Sequence, residues 1–243
     1  MESWAFLDQL REKDRGSPAV NMATDEWLLR HAVETGPTLR IYRWDRPAFS
    51  FGYGQSSLDA PAGIDAVRRP TGGGRVDHRA DATYAIALPR GHAIARLGGC
   101  ERYRALHELV LELFKAREIA AALADSCDGA GRGDFACFER PARFDVIGAH
   151  GLKLGGGAQR LSRTGLLHQG SLQLSPAPSA DEWRRALRAR GIELRDWTLP
   201  TAGSVEIERL AQSKYSRDWR ALSSATNPES DPAEGTAPSR ARR

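Results

Sequence analysis

Lysine is scarce in this chain of 243 residues: Lys13, Lys115, Lys153 and Lys214 are the only four, against 35 lysines and arginines together. A lysine kept where arginine is the default marks a place that needs a compact ammonium rather than a planar guanidinium. Cysteine is scarce too. Cys100, Cys127 and Cys137 make no Cys-x-x-Cys pair and no even framework, which excludes a disulfide scaffold and a zinc ribbon and leaves reduced thiols as the expectation. Long apolar runs are missing: none approaches the roughly 20 residues of a membrane span, and the opening Met1–Asp8 stretch, broken by charge, does not read as a signal peptide. A cytoplasmic protein with no membrane partner is expected. Strong charge of one sign is absent as well, since the net charge is +4 with a pI near 9.2. The arginines are scattered, and those of 183–190 read as the solvated face of a helix, so no nucleic acid is expected.

What is present is glycine, and it comes in triplets. Lys153 stands just before Gly155-Gly156-Gly157, and a glycine run lets backbone approach a ligand with no Cβ in the way. The plainer reading is a tight turn with a solvated lysine. A second triplet, Gly72-Gly73-Gly74, follows Arg68-Arg69-Pro70-Thr71 and runs into the alternating 82–88 segment. Two such elements beside cationic side chains suggest two backbone loops converging on one anionic or amide-bearing ligand. Neither triplet is a Walker loop or a Rossmann fingerprint, and Gly129-Ala130-Gly131-Arg132-Gly133 lacks the spacing for either.

Taken in order, these segments resemble the biotin/lipoate protein ligase superfamily, in its lipoate–protein ligase and cysteine-dependent octanoyltransferase branch. Residues 21–26 resemble its opening helix, and 39–44 and 50–55 its first strands. Arg68 through His78 is similar to its acyl-binding loop, Lys153 through Gln159 to its lysine loop, and 166–172 to the strand that follows. The resemblance spans roughly 20–220. It departs at Arg75 and Asp77, at Gly155 and Gly157 where serines are common, and at Gln169-Gly170 where a His-Gly pair is common. It implies an α+β fold, a mixed or antiparallel sheet flanked by helices, in one catalytic domain over 1–222 with a disordered tail over 223–243. It also implies a substrate site of Arg69, Thr71, Gly72, Gly73, Gly74, His78, Gly156, Gly157, Ala158, Gln159, His168 and Gly170, without a metal.

One cysteine carries a mechanistic choice. Cys137-Phe138-Glu139-Arg140-Pro141 is similar to the Cys-Phe segment of the cysteine-dependent octanoyltransferases. A thiol is mostly protonated near neutral pH, and a nearby ammonium favours the nucleophilic thiolate; Lys153 would supply it. The resemblance then implies Lys153 and Cys137 as catalytic residues, octanoyl-acyl carrier protein as donor, lipoyl-domain proteins as acceptors, no cofactor, and a monomer. Two other readings stay open. One is an ATP- and magnesium-dependent lipoate–protein ligase in which Cys137 is incidental. The other is a non-catalytic acyl-binding or carrier-docking protein. In either enzyme, Lys153→Ala is expected to reduce transfer by orders of magnitude and leave folding intact. Cys137 also has a plain reading, a buried small side chain between Phe135 and Phe138.

Local patterning gives the elements. Asn21 is expected to cap a helix running to about His31, and apolar spacing predicts a helix over 103–114 extending toward Leu123, with His107 at its surface or boundary. A hairpin is expected to turn at 149–151, with helices near 181–190 and 205–222.

Overall fold

Trp4, Phe6, Leu39, Ile41, Tyr84, Ile86 and Leu88 are each at most 1% exposed. They share one face of a sheet because alternate residues of a strand point to the same side. The computed structural model describes residues 1–55, 63–125 and 141–216. In chain order it shows β1 (Glu2–Gln9), α1 (Pro18–Arg30), α2 (Ala32–Thr35), β2 (Thr38–Tyr42), β3 (Ala48–Phe51), β4 (Asp65–Arg68), β5 (Val76–Asp77), β6 (Ala82–Pro89), α3 (Ala93–Arg96) and α4 (Gly99–Ala116). It continues with β7 (Ala122–Leu123), β8 (Val146–Ile147), β9 (Lys153–Leu161), β10 (Gly165–Leu172), α5 (Ala180–Arg188), β11 (Ile192–Asp196), α6 (Thr201–Leu210) and a π-helical turn, Ala211–Tyr215. The expected tail and the loop carrying Cys127 and Cys137 lie outside the described residues.

The strands form an eight-stranded sheet, ordered β11-β1-β2-β6-β10-β9-β8-β7, and a three-stranded sheet, β4-β3-β5. β1 runs parallel to both β11 and β2, and the rest of the large sheet is antiparallel, the mixed α+β arrangement expected. Both faces are covered, which is why β2 and β10 are buried along their whole length. On one face Leu106, Val110, Leu113 and Phe114 of α4 join Trp183 and Leu187 of α5 over the strand residues named above. On the other, Met22, Trp27 and Leu28 of α1 and Ile207 of α6 pack on Ala85, Ala87 and Leu167.

Several boundaries differ from the sequence expectation for local reasons. α1 begins four residues before the expected cap: Ser17 Oγ accepts from Val20 N–H at 3.3 Å and Pro18 takes the first turn. Asn21 is instead buried inside the helix, its amide donating to the carbonyls of Gly16 and Arg43 at 3.1 and 3.3 Å. α4 stops at Ala116 because Glu118 adopts φ +56° and Ile119 N–H returns to Phe114 O at 2.9 Å, a left-handed C-terminal stop. His107 is not at the surface. It is 1% exposed, since it lies on the same stripe as Tyr103 and Val110. The 149–151 turn joins β8 to β9 as expected, with His150 at φ +56°. β1 had no counterpart in the expectation.

Candidate active site

A cleft runs between the two sheets, with about 420 Å³ of empty space when its open mouth is included. The small sheet supplies one wall. Arg69, directly after β4, is 5% exposed; its guanidinium donates to Ser50 Oγ at 2.8 Å and to the carbonyls of Gly72 and Gly74 at 2.9 and 2.7 Å. The glycine loop is therefore wound around an arginine, and Gly73 takes φ +85° to complete it. The end of β3 presses on that loop so closely that a Cβ at Gly52 would stand 2.0 Å from Gly73 O. His78, just past β5, reaches Ser50 Oγ with Nε2 at 2.6 Å and Asp81 Oδ2 with Nδ1 at 2.9 Å. The Trp44 ring stacks on its imidazole at 4.1 Å.

The large sheet supplies the opposite wall. Lys153 opens β9, is 7% exposed, and pairs through Nζ with Asp145 Oδ2 at 2.7 Å. Asp145 is fully buried and accepts further from Tyr103 Oη at 2.5 Å and Ala142 N–H at 2.5 Å. Burial, reinforced by Asp145, pushes the Tyr103 phenol well above its ordinary range, which keeps it a donor. Tyr103 Oη also accepts from Gly157 N–H at 2.9 Å, fixing α4 to β9. Next to it, burial lowers the His107 imidazole to about 4, with Asp145 opposing. Its Nδ1 is 2.6 Å from Phe144 O, so Nδ1 carries the proton and donates.

The expected lysine loop is a strand. Gly155, Gly156 and Gly157 pair antiparallel with Leu172, Ser171 and Gly170, and none has positive φ. Their lack of side chains serves close packing instead. A Cβ at Gly157 would meet the His168 ring at 2.5 Å, one at Gly156 the Lys153 Cε at 2.5 Å, and one at Gly170 the Tyr84 ring at 2.1 Å. Strand alternation also sorts β10: Gln169 faces the cleft, while His168 points to the far side, its Nε2 at 3.0 Å from Tyr84 Oη. Burial pushes His168 well below its ordinary value.

Of the expected site residues, Arg69, His78, Lys153, Gly156, Gly157, Ala158 and Gly170 line the cleft. Thr71, Gly72, Gly73, Gly74, Gln159 and His168 stand behind it. Thr71 Oγ1 donates to Gln169 Oε1 at 2.7 Å, and Gln159 contacts His168 at 3.4 Å. Gln169, at the position of the family's histidine, is fully engaged: its amide donates to Asp25 Oδ2 at 2.6 Å, beside Arg40 and Tyr42. Sequence reasoning missed Ser50, Asp81, Tyr103 and Asp145 as site residues; Ser50 opens the 50–55 segment but was read only as strand, the other three sit in no family segment, and the Tyr103/His107 spacing of four on one helix face was a further signal. Lys153 is buried against a carboxylate, so its removal is expected to cost stability as well as activity, where the sequence alone suggested intact folding. Cys100 is exposed at the start of α4. Among the described residues no cluster of three or more His, Cys, Asp or Glu is placed to hold a metal, and no helix is long and apolar enough to cross a membrane.

Comparison with known proteins adds the following. The family model for the lipoyl protein ligase A/B catalytic domain matches residues 17–192. The chain is 34% identical over 184 residues to octanoyltransferase LipM of Oceanobacillus iheyensis, covering 72% of this chain and 65% of that protein, so the match spans just under two thirds of that relative's length. It is 32% identical over 235 residues to octanoyltransferase LipM of Kyrpidia tusciae, covering 86% and 84% of the two chains. In fold it is similar to lipoate-protein ligase A bound with ATP, at TM-score 0.69 and 19% identity over 90% of this chain and 98% of that one. It is also similar to the bi-partite lipoate protein ligase of Thermoplasma acidophilum, at TM-score 0.66 and 19% identity over 95% and 100%.

Proposed function

Because this chain belongs to the lipoyl protein ligase A/B catalytic-domain family, we propose that it transfers an octanoyl group from a thioester donor to the ε-amine of a lysine on a lipoyl-domain protein. The observation that carries this reading is the buried Lys153–Asp145 pair at 2.7 Å, set in a narrow cleft whose remaining wall includes Met22, Tyr42 and Val76. A buried ammonium is costly unless it has a partner. Lys153 has one, and it still borders the cleft, whose lining is largely apolar.

Cys137 is the proposed nucleophile. It lies outside the described residues but only eight positions before Asp145 in sequence. Its thiolate, favoured by the Lys153 ammonium, attacks the donor's carbonyl carbon; a new C–S bond forms, the donor's C–S bond breaks, and the released thiolate takes a proton. The acceptor lysine, as free amine, then attacks the same carbon, an amide forms as the nitrogen gives up a proton to solvent, the thioester C–S bond breaks, and Cys137 leaves as thiolate. Acyl carrier protein is the proposed donor, since a carrier-bound thioester enters already activated and needs no ATP. The names of the curated relatives support octanoyl transfer.

Mass spectrometry of the protein after incubation with octanoyl-acyl carrier protein tests this. An octanoyl thioester on Cys137, lost in Cys137→Ser and kept in Cys100→Ser and Cys127→Ser, is the expected result. Acceptor modification only with free octanoate, ATP and magnesium would move the assignment to the ligase, and neither outcome would leave an acyl-binding protein.

A further inference from the structure

The small-sheet wall holds three residues arranged as a nucleophile, a base and an orienting acid. Asp81 Oδ2 stands 2.9 Å from His78 Nδ1, and His78 Nε2 stands 2.6 Å from Ser50 Oγ. A carboxylate can only accept, so it fixes the proton on Nδ1 and leaves Nε2 to take the Ser50 hydroxyl proton. Asp81 is itself held by Ser171 Oγ at 2.5 Å and Thr83 Oγ1 at 3.2 Å. Trp44 lies flat on the imidazole at 4.1 Å and 21°, and its Nε1 is tied to Thr83 Oγ1 at 2.9 Å, so the ring has little freedom to rotate. Arg69 Nη1 donates to the same Ser50 oxygen at 2.8 Å, placing a permanent positive charge where an alkoxide would develop. Ser50, Arg69 and His78 all line the cleft that Lys153 borders. A lone serine hydroxyl is a poor nucleophile; one with an oriented base and an adjacent cation is activated.

We infer that Ser50 is a second acyl-accepting nucleophile, with His78 as its general base, Asp81 as the positioning residue and Arg69 as the charge on its oxygen, giving the protein hydrolase activity on medium-chain activated esters and thioesters. In the first step Ser50 Oγ attacks the acyl carbon and its proton passes to His78 Nε2; the bond to the leaving thiol or alcohol breaks, and that group takes the proton from His78. In the second, water attacks the Ser50 ester, its proton goes to His78 and on to Ser50 Oγ as the ester C–O bond breaks, and the fatty acid leaves. The inference rests on reading the cleft as the acyl site, but it does not need Cys137.

The test uses the full-length protein with Cys137→Ala, so that only serine chemistry is read, and p-nitrophenyl octanoate as probe. Turnover that falls by at least about 100-fold in Ser50→Ala and in Asp81→Asn is expected, less than the roughly 10⁴-fold lost when the acid of an evolved triad is neutralised. Trapping at short times should show an octanoyl ester on the peptide containing Ser50. Ser50→Cys should instead carry an octanoyl thioester that neutral hydroxylamine removes. Thermal unfolding of each variant separates lost chemistry from lost fold, and the acylated Ser50→Cys peptide supports the assignment even where Ser50→Ala unfolds. Ester turnover unchanged by Ser50→Ala, or no octanoyl label on the corresponding peptide of folded Ser50→Cys, overturns it. A Ser50 ester in a protein inactive with octanoyl-acyl carrier protein would reject the carrier-dependent transferase and leave the serine assignment standing.

Discussion

Gly156 and Gly157 are neighbours in β9, yet a methyl group added at each meets a different kind of atom. At Gly156 the new Cβ would lie 2.5 Å from Lys153 Cε, 2.8 Å from its Nζ and 3.1 Å from Asp145 Oδ1, the far end of a flexible side chain and its partner, so the lysine gives way and leaves Asp145. Gly156→Ala should lose octanoyl transfer by at least about 10-fold, the equivalent of about 1.4 kcal/mol in the barrier, and should lower the melting temperature too, because Asp145 is left buried without its cation; transfer assays beside thermal unfolding read both. At Gly157 the obstacle is the buried His168 ring and the Gln169 carbonyl, at 2.5 and 2.9 Å. Neither can yield cheaply. Gly157→Ala should lower stability by about 1–3 kcal/mol in urea unfolding, as overpacked cores do. Lys153→Ala should cost about 3–5 kcal/mol as well as activity, because it strips a buried carboxylate of its cation. Adding Asp145→Asn should return much of the stability and none of the transfer, which separates the ion pair's structural part from its chemical one.

α5 shows what an element owes to its ends. Ser179 Oγ accepts from Glu182 N–H at 3.3 Å while Glu182 Oε2 accepts from Ser179 N–H at 2.8 Å, a reciprocal cap. Arg117, just past α4, donates to both Glu182 oxygens at 2.7 and 3.1 Å and, with the cap, holds that carboxyl down to about 2. Ser179→Ala should cost about 1 kcal/mol in chemical denaturation. The helices and the hairpin were legible because their signals are local: the 3.6-residue spacing of Leu106, Val110 and Leu113, the turn at 149–151. β9 was read as the second arm of that hairpin, but its glycines were also taken for a ligand-binding loop, because a glycine run looks like a loop in isolation. Only the neighbouring strands, with His168 and Leu172 pressing from β10 and Val146 from β8, show why side chains are excluded there. β1 escaped notice for a related reason, since its alternation of Trp4 and Phe6 is short and its parallel neighbours, β2 and β11, are remote in sequence.

For the molecule as a whole, two buried imidazoles set the response to acid. Burial holds His107 at about 4 in the folded state, against an ordinary value near 6.5. Between those values the unfolded chain takes up a proton that the folded one refuses. Stability should therefore fall as the pH drops from about 6.5 toward 4 and level off below, by roughly 3 kcal/mol from this group, with His168 acting in the same direction. Urea unfolding at pH 7 and pH 4.5 should show the loss, and His107→Gln should shrink it; an equal loss in the variant would assign the acid sensitivity elsewhere. This buried pair was invisible to sequence, which placed His107 near the surface. The family's segments did locate both walls of the cleft, since Arg69, His78 and Lys153 all sit in them. What the segments lacked was an acidic partner for each cation or imidazole, Asp145 for Lys153 and Asp81 for His78, while Ser50 lay inside one of them with nothing to mark its contact with His78.

The cleft has its two walls on different sheets, and side-chain bonds join them: Thr71 Oγ1 to Gln169 Oε1 at 2.7 Å and Arg160 Nη1 to Pro70 O at 3.1 Å. Such a site works as a caliper. On the proposed reading, the length of acyl chain admitted depends on how far apart the jaws are held rather than on the depth of a rigid hole in either one. Thr71→Val, which keeps the volume of the side chain and cuts one strut, should relax the gauge toward longer acyl chains while Lys153 and His78 stay where they are.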